Sequence, residues 1–292
     1  MTTAVSRAHA RPPGLERPPR VGVMNLMPCA EEFEGMLLPQ FGAAKPFEPV
    51  WIKTPGRRYA NDDWARIDNR YVLLRDAGEL DALVVTGAAV EHLPFDQVRF
   101  MGEVANTVRH AVLRGIPVLG LCWGALAVGY VVLGLSHQVL PQKVSGVYET
   151  DLLVAPHAIG KGLDDRFWTA HSRFAGFDES TVDAAVAAGR VRVLGRAPSP
   201  VGTVIAESCD HRVLMHIGHP EYGASRLVHE YRRDIAMGLA DVQPPANVDL
   251  DRPVCRWRSH SRMFFANWIE LVYSTALAKT SHPAAQKGRW EQ

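Results

Sequence analysis

The sequence predicts an α/β fold, a mostly parallel sheet with helices on both faces and a mixed extension, and two observations lead to this prediction. Apolar runs of strand length alternate with helical segments over 21–135, which is typical of parallel sheets with short connections. Beyond Leu140 the apolar segments become shorter and β-like, as expected of mixed or antiparallel strands at one side of the sheet.

The first predicted strand, 21–27, is a short apolar run that Pro28 ends, and the helix over 31–38 is stopped by Pro39. Strands at 47–52 and 80–88 come next, and Gly87 permits a turn where the chain leaves the sheet. Apolar residues at helical spacing predict a helix over 98–113.

The central strand is predicted at 117–121, an uncharged run that fits a strand buried on both faces, and a helix is predicted from Trp123 onward. The extension is predicted to contain four strands, at 144–150, 191–195, 203–208 and 213–217, and two closing helices, at 226–239 and 263–278.

Composition limits the classes of function. The 292 residues carry 32 basic and 31 acidic side chains, a net charge of +1, so no strong field attracts nucleic acid or an anionic membrane. The uncharged stretch 116–135 is interrupted by Pro117 and four glycines, which argues against a membrane span. We therefore expect small-molecule partners, with no nucleic acid and no membrane.

The ends of the chain differ from its middle. Residues 1–20 contain four arginines and four prolines without an apolar core of a secretion signal, and we expect a disordered tail there. A single domain is predicted over 21–278, and a polar C-terminal tail over 279–292. Four cysteines without short spacings indicate no disulfide framework and no zinc site, hence a reducing cytoplasm.

Cys122 is the first candidate for chemistry. Gly120 and Gly124 flank it in a G-x-C-x-G pattern, the cysteine counterpart of the turn that exposes a nucleophile between a strand and a helix. A helix N-terminus favours the thiolate, and the backbone N–H of Trp123 is placed to hold an oxyanion. Taken alone, the pattern also fits a buried structural thiol.

His219 and Glu221 are the candidate partners of this cysteine. They follow the predicted strand 213–217, and two residues apart in extended chain they point to the same side. An imidazole can take the proton of a thiol, and a carboxylate can hold that imidazole. His216 and His219 also form H-x-x-H, but without a third ligand cluster no metal is predicted. A histidine of no consequence in a loop is the alternative for His219.

The order Cys, His, Glu, with the last two in H-P-E, resembles the triad of class I glutamine amidotransferases. Further motifs occur in chain order: NLMP at 25–28, VTGA and VE within 85–91, CWGA at 122–125, KVSGVYE at 143–149, HSRF at 171–174, GHPEY at 218–222, EYRRD at 230–234 and WRSH at 257–260. Over 21–273 the sequence closely resembles the homoserine O-acyltransferases of the methionine pathway, the family often called homoserine O-succinyltransferase.

The resemblance implies a flavodoxin-like, class I glutamine amidotransferase-like sheet and a ping-pong acyl transfer through a thioester on Cys122. No bound cofactor is implied, only acyl-CoA as co-substrate. By their positions in matching motifs, Lys143, Ser172 and Arg233 resemble the residues that bind the amino-acid acceptor. Without the motif, Arg233 would be interpreted as part of a solvated helix face.

Glu91 occupies the position that in this family resembles the determinant of the acyl donor, where glycine accompanies succinyl-CoA and glutamate accompanies acetyl-CoA. A carboxylate beside the acyl group would repel the succinyl carboxylate. We therefore expect acetyl-CoA as the donor, although without the family motif Glu91 would be an exposed loop residue.

Two departures from the family pattern leave alternatives open. Cys29 and Ala30 stand where the family has a lysine pair, and a short Arg/Pro tail replaces a longer segment with a role in dimer contacts. Homoserine or serine as acceptor, succinyl-CoA as donor and a homodimer therefore stay open. Alternatives of other classes are an inactive acyl-CoA-binding protein and a glutamine-hydrolysing subunit.

Overall fold

The apolar runs of the sequence form one mixed sheet in the computed structural model, which describes residues 14–55, 59, 64–154 and 156–281. In chain order the strands and helices are β1 (Arg20–Met24), α1 (Ala30–Leu37), β2 (Glu48–Ile52), α2 (Trp64–Arg70), β3 (Ala82–Val85), α3 (Met101–Leu113), β4 (Val118–Leu121), α4 (Trp123–Leu133), β5 (His137–Leu152), β6 (Arg166–Phe177), α5 (Glu179–Ala187), β7 (Val191–Ala197), β8 (Gly202–Ser208), β9 (Val213–His216), α6 (Ala224–Ala236) and α7 (Arg258–Ser281).

The strand order is β2-β1-β3-β4-β9-β8-β7-β5-β6. The first five strands in this order run parallel to one another, and from β9 onward each neighbouring pair is antiparallel. The predicted fold class, a parallel sheet with a mixed extension, is therefore confirmed.

Alternating residues of the parallel strands face two separate cores. On β3, Leu83 and Val85 pack with α3 and α4 on one face, whereas Ala82 and Val84 pack with α1 and α7 on the other. Strands covered on both faces must be apolar throughout, which explains why these segments lack the alternation of a half-exposed strand. The sheet thus carries helices on both faces.

The topology gathers several loops at one edge of the sheet. Strand β2 lies on one side of β1 and β3 lies on the other, so the direction of the chain across the sheet reverses at β1. In such sheets the crevice outside the carboxyl ends of the strands is where ligands bind. The segments that follow β1, β3, β4 and β9 all leave the sheet at this edge.

The main element that the sequence does not predict is β6. It pairs with β5 over eleven residues, and β5 itself extends over 16 residues where a shorter strand is expected. The alternation that would indicate β6 is broken by His171, Ser172 and Arg173, which are all buried. Helices α2 and α5 are also absent from the predicted elements.

The boundaries of the predicted tails need correction. Residues 1–13 lie outside the described residues, but Leu15 is buried in a core, and Asp81 accepts from the Arg17 side chain (2.6 Å) and the Arg20 backbone N–H (2.8 Å). At the other end α7 continues to Ser281, and the rest of the predicted C-terminal tail is not described. Among the described helices, none combines the length and the apolarity that crossing a membrane requires.

Candidate active site

Cys122 occupies the turn between β4 and α4 in a strained conformation. Its φ of 50° and ψ of −118° lie in a region that a non-glycine residue enters at a cost of about 1–3 kcal/mol. Its backbone N–H donates to the His216 carbonyl (2.9 Å), which ties the turn to β9. The G-x-C-x-G pattern therefore forms the strand-to-helix turn that the sequence predicts.

The two flanking glycines are required by close packing of backbone atoms. A Cβ added at Gly120 would lie 2.6 Å from the Ala125 Cα, and one added at Gly124 would lie 2.2 Å from the Val85 carbonyl oxygen. No side chain fits at such distances. The pattern thus permits α4 to begin directly against β3 and β4, with Cys122 between them.

His219 lies between Cys122 and Glu221. Its Nδ1 is 2.8 Å from Glu221 Oε1, and its ring and the Cys122 Cβ both lie beside Gly87. Burial alone would lower the pKa of His219, but the Cys122 thiolate and the Glu221 carboxylate together raise it well above the usual value. The three residues are buried, so their mutual charges act with little screening.

Gly87 packs closely against this group. A Cβ added there would lie 3.5 Å from the Cys122 Cβ, 3.9 Å from His219 Cε1 and 3.4 Å from Met27 Sδ. The turn after β3 therefore lies against the cysteine, and the turn after β1 packs against the same glycine. The predicted candidates at the carboxyl ends of four strands are brought together at one place.

Glu91 lies in the loop after β3 and is half-buried. Burial raises its pKa, while the Phe174 N–H on β6 and the positive charges of His219, Lys143 and Arg173 oppose the rise. Glu91 is therefore within electrostatic reach of His219 and is not an exposed loop carboxylate.

Lys143, Ser172 and Arg233 converge on two acidic residues of α6. Ser172 Oγ donates to Glu230, and Lys143 Nζ lies 2.6 Å from Asp234 Oδ2 and 3.8 Å from Glu230 Oε2. Arg233 donates to Asp234 Oδ1 through Nε (3.0 Å) and Nη2 (2.7 Å). The three predicted binding residues therefore share one polar cluster, although Arg233 remains 44% exposed.

Tyr222 connects this cluster to the histidine and is not among the residues predicted from the sequence. Its ring stacks on the His219 ring, with 4.0 Å between centroids and 16° between planes, and its hydroxyl donates to Glu230 Oε1 (2.9 Å). Burial tends to raise the pKa of Glu230, but Lys143 and Arg226 lower it to about 2. The sequence does carry a signal for both residues, since GHPEY contains Tyr222 and EYRRD contains Glu230.

Trp123 is the first residue of α4, directly after Cys122. The first N–H groups of a helix have no partner within the helix, so the Trp123 N–H can donate to an oxyanion on a group bound at Cys122. The role of Trp123 stays a prediction.

The candidate metal ligands lie at a different place. His216 and His219 do not form a ligand pair, because His216 Nδ1 accepts from the Gly218 N–H (3.1 Å) and its ring packs on Phe264. Within the described residues, one set with metal-ligand geometry is His157, Glu207 and His211.

Two contacts make this set a poor cation site. His157 Nδ1 accepts from the Ile159 N–H (3.2 Å), so a neutral His157 carries its proton on Nε2, the atom that would have to bind the metal. Arg192 Nη1 also lies 3.4 Å from Glu207 Oε1. These contacts are better explained by an ion-pair cluster around Glu207 than by a metal site.

Comparisons with known proteins give relatives that cover most of the chain. A family model described as homoserine O-succinyltransferase matches residues 5–277. The homoserine O-acetyltransferase of Desulfovibrio desulfuricans is 30% identical over 261 residues, which cover 87% of this chain and 82% of that protein. The homoserine O-acetyltransferase of Ruegeria sp. is 30% identical over 89% of this chain and 84% of that protein.

Solved structures resemble the chain in fold at low sequence identity. A putative GMP synthase component from Thermoplasma acidophilum gives a TM-score of 0.57 at 12% identity, covering 91% of this chain and all of that one. A glutamine amidotransferase from Thermotoga maritima gives 0.55 at 15% identity, covering 91% and 98%. The predicted class I glutamine amidotransferase-like architecture is confirmed.

Proposed function

Because the chain belongs to the homoserine O-succinyltransferase family, we propose that it transfers an acetyl group from acetyl-CoA to the hydroxyl of L-homoserine through a thioester on Cys122. The observation that carries this proposal is the grouping of three buried residues: His219 Nδ1 lies 2.8 Å from Glu221 Oε1, and His219 and Cys122 both pack against Gly87. A thiol beside an imidazole that a carboxylate holds in place is suited to covalent acyl transfer.

The reaction has two halves that use the same groups. The Cys122 thiolate attacks the thioester carbonyl of acetyl-CoA, and the CoA sulfur leaves with the proton that His219 carries. The acceptor hydroxyl then gives its proton to His219 as its oxygen attacks the acetyl group, and Cys122 leaves as the thiolate. Glu221 stabilises the imidazolium in each half, and the Trp123 N–H donates to the oxyanion.

The polar cluster on α6 supports an amino-acid acceptor. Arg233 and Lys143 supply positive charge for its carboxylate, and Ser172 supplies a compact donor and acceptor. Both cations already contact Asp234, which is buried, so their positions are fixed before the acceptor arrives. Preorganised groups of this kind lower the entropic cost of binding.

Glu91 supports acetyl-CoA over succinyl-CoA. The charges of His219 and Lys143 act on its carboxylate, and a succinyl carboxylate brought into the same closed site would meet a like charge. The relatives are described as homoserine O-acetyltransferases, and these names agree with acetyl-CoA as the donor. We infer that a small uncharged acyl group fits this position best.

A panel of donors and acceptors tests the proposal. Acetyl-CoA or succinyl-CoA is combined with L-homoserine or L-serine, and release of free CoA thiol and the mass of the product are followed. We expect O-acetylhomoserine as the main product. A main product of O-acetylserine would correct the acceptor, because the two acceptors differ by one methylene and pockets separate such pairs by only about 1–3 kcal/mol.

Two cysteine variants provide the matched control. Cys122→Ala should abolish turnover, whereas Cys209→Ala should retain it, because Cys209 precedes β9 at the opposite end of the sheet. Incubation with glutamine tests the activity named for several structural neighbours; release of glutamate without acyl transfer would contradict the proposal. A homodimer and a cytoplasmic location stay predictions.

A further inference from the structure

Tyr222 is a buried aromatic residue that the proposed reaction does not use. Its side chain lies directly against the His219 ring, with 4.0 Å between the centroids and 16° between the planes, and the residue is 2% exposed. Rings this close and this nearly parallel are in contact over their faces. Because His219 moves protons in the proposed reaction, a face contact with it calls for a reason beyond packing.

The surrounding elements hold Tyr222 in place. The Trp257 indole N–H donates to the Tyr222 carbonyl (2.9 Å), and the Tyr222 backbone N–H donates to the His219 carbonyl (3.1 Å). Tyr222 also packs in one core cluster with apolar residues of four segments: Val147 of β5, Ala170 of β6, Leu227 of α6 and Trp257 directly before α7. The ring is therefore a fixed surface against which the histidine lies.

The Tyr222 hydroxyl acts as a hydrogen-bond donor and not as a base. It donates to Glu230 Oε1 (2.9 Å). Burial, and then the Glu230 carboxylate, raise the pKa of Tyr222 well above its usual value, so the hydroxyl keeps its proton. The part of Tyr222 that contacts a proposed catalytic residue is thus its ring.

The His219 ring needs a second contact besides Glu221 to keep one orientation. The bond between His219 Nδ1 and Glu221 Oε1 (2.8 Å) fixes one atom of the ring, but a single hydrogen bond tolerates a range of angles. Rotation about the Cβ–Cγ bond of a histidine also has a broad energy profile. A flat surface against one face restricts both movements, and the direction of Nε2 is then set as well.

We propose that Tyr222 is a positioning residue that holds the plane of the His219 ring, so that Nε2 stays directed at the Cys122 thiol and then at the acceptor hydroxyl. The proposal deepens the proposed function and rests on it in taking His219 as the group that moves protons in both halves. It assigns the tyrosine of the GHPEY motif to the orientation of the imidazole and not to the binding of either substrate.

Steady-state kinetics of variants that remove or keep the ring test this role. Tyr222→Leu and Tyr222→Met remove the stacked ring, and kcat should fall about 10- to 100-fold, as expected of a misplaced reacting group. Because His219 serves both halves, kcat/KM for acetyl-CoA and kcat/KM for L-homoserine should fall by the same factor. Tyr222→Phe keeps the ring, and it should recover most of the kcat that Tyr222→Leu loses.

Tyr273→Leu is the matched control, since it removes the same ring from another buried position. Tyr273 is 4% exposed, and its hydroxyl donates to the Pro46 carbonyl (2.5 Å). Its ring faces Lys45, with 5.1 Å from Nζ to the ring centroid. We expect this variant to have a lower free energy of unfolding, measured with urea, and a wild-type kcat.

Four results would overturn the proposal. An unchanged kcat in Tyr222→Leu would show that the stacking has no role, and an equal fall of kcat in Tyr273→Leu would indicate a general loss of structure. A fall in Tyr222→Phe as large as in Tyr222→Leu would assign the effect to the hydroxyl. If Tyr222→Leu fails to fold, Tyr222→Met decides, because its longer unbranched side chain adapts to the space of the ring; failure of both to fold would mean that the ring serves the fold.

A second measurement needs no substrate, so the two proposals can fail separately. The proton between His219 Nδ1 and Glu221 should give a downfield resonance in proton NMR spectra of the full chain, identified by its loss in His219→Gln. We expect it to stay sharp in Tyr222→Phe and Tyr273→Leu. In Tyr222→Leu it should broaden or disappear, because a ring that moves exchanges this proton with water faster.

The two measurements together separate the two proposals. Loss of the resonance in Tyr222→Leu, in a protein whose wild type transfers no acetyl group, would leave the role of Tyr222 standing and remove the proposed function. Acetyl transfer with a sharp resonance in Tyr222→Leu, or with no such resonance in the wild type, would overturn the role of Tyr222 and leave the proposed function standing.

Discussion

Replacing Gly124 by alanine tests whether the position of Cys122 depends on close packing beneath α4. The added Cβ would lie 2.2 Å from the Val85 carbonyl oxygen and 2.6 Å from that of Thr86. Both atoms belong to the backbone of the β3 segment and cannot rotate away. Because carbon needs more than about 3 Å to such an atom, α4 must move by about 1 Å.

This movement carries the proposed nucleophile with it, since Cys122 directly precedes α4. A displacement of about 1 Å at a reacting group costs roughly 100-fold in turnover, and overpacking of this kind costs about 1–3 kcal/mol of stability. We therefore expect Gly124→Ala to have a lower free energy of unfolding, measured with urea, and a lower kcat for acetyl transfer.

Gly102→Ala is the control for a glycine in a helix that has no such contact. Gly102 lies on α3, and nothing lies within 4 Å of its added Cβ, so this variant should keep its turnover and gain up to about 1 kcal/mol. Wild-type stability and turnover in Gly124→Ala would refute the reasoning, because they would mean that the turn does not depend on this approach.

Three further predictions concern the charges of the site. Glu221→Gln should lower the pKa of His219 and reduce kcat on the order of 10⁴-fold; an unchanged kcat in steady-state assays would exclude Glu221 from the mechanism. Glu91→Gly should raise the kcat/KM ratio of succinyl-CoA to acetyl-CoA by about 100-fold or more, and a ratio equal to that of the wild type would remove Glu91 as the donor determinant. Glu230 has a pKa of about 2 against a usual 4.5, so its contribution to stability is present above pH 4.5 and is lost as the pH falls toward 2. Urea unfolding between pH 4.5 and 2 should show that the free energy of unfolding falls less with pH in Glu230→Gln than in the wild type. An equal fall in both would show that Glu230 makes no such pH-dependent contribution.

The arrangement of the proposed triad could be predicted from the sequence because it follows from local rules. Cys122 lies at the end of a parallel strand, and residues two apart after a strand point to the same side, as His219 and Glu221 do. Gly120 and Gly124 indicate the turn for the same reason. The close approach of backbone atoms that requires them is local and does not depend on the rest of the fold.

The contacts around Cys122, His219 and Glu221 could not be predicted, since they join distant parts of the chain. Arg173 and Ser172 lie on β6, whose buried polar residues obscure its strand pattern. Glu230 and Asp234 look like one charged face of a helix, and only the fold shows that Lys143 from β5 neutralises them. Burial of a charge depends on which element covers it, and a single sequence does not contain that information.

The most direct test of the proposed mechanism is the intact mass of the protein after acetyl-CoA is added without an acceptor. We expect one acetyl group per chain, located on the Cys122 peptide, absent in Cys122→Ala, and removed when L-homoserine is added. Formation of O-acetylhomoserine without any acetylated Cys122, or by Cys122→Ala at the wild-type rate, would contradict the claim that this cysteine carries the acyl group.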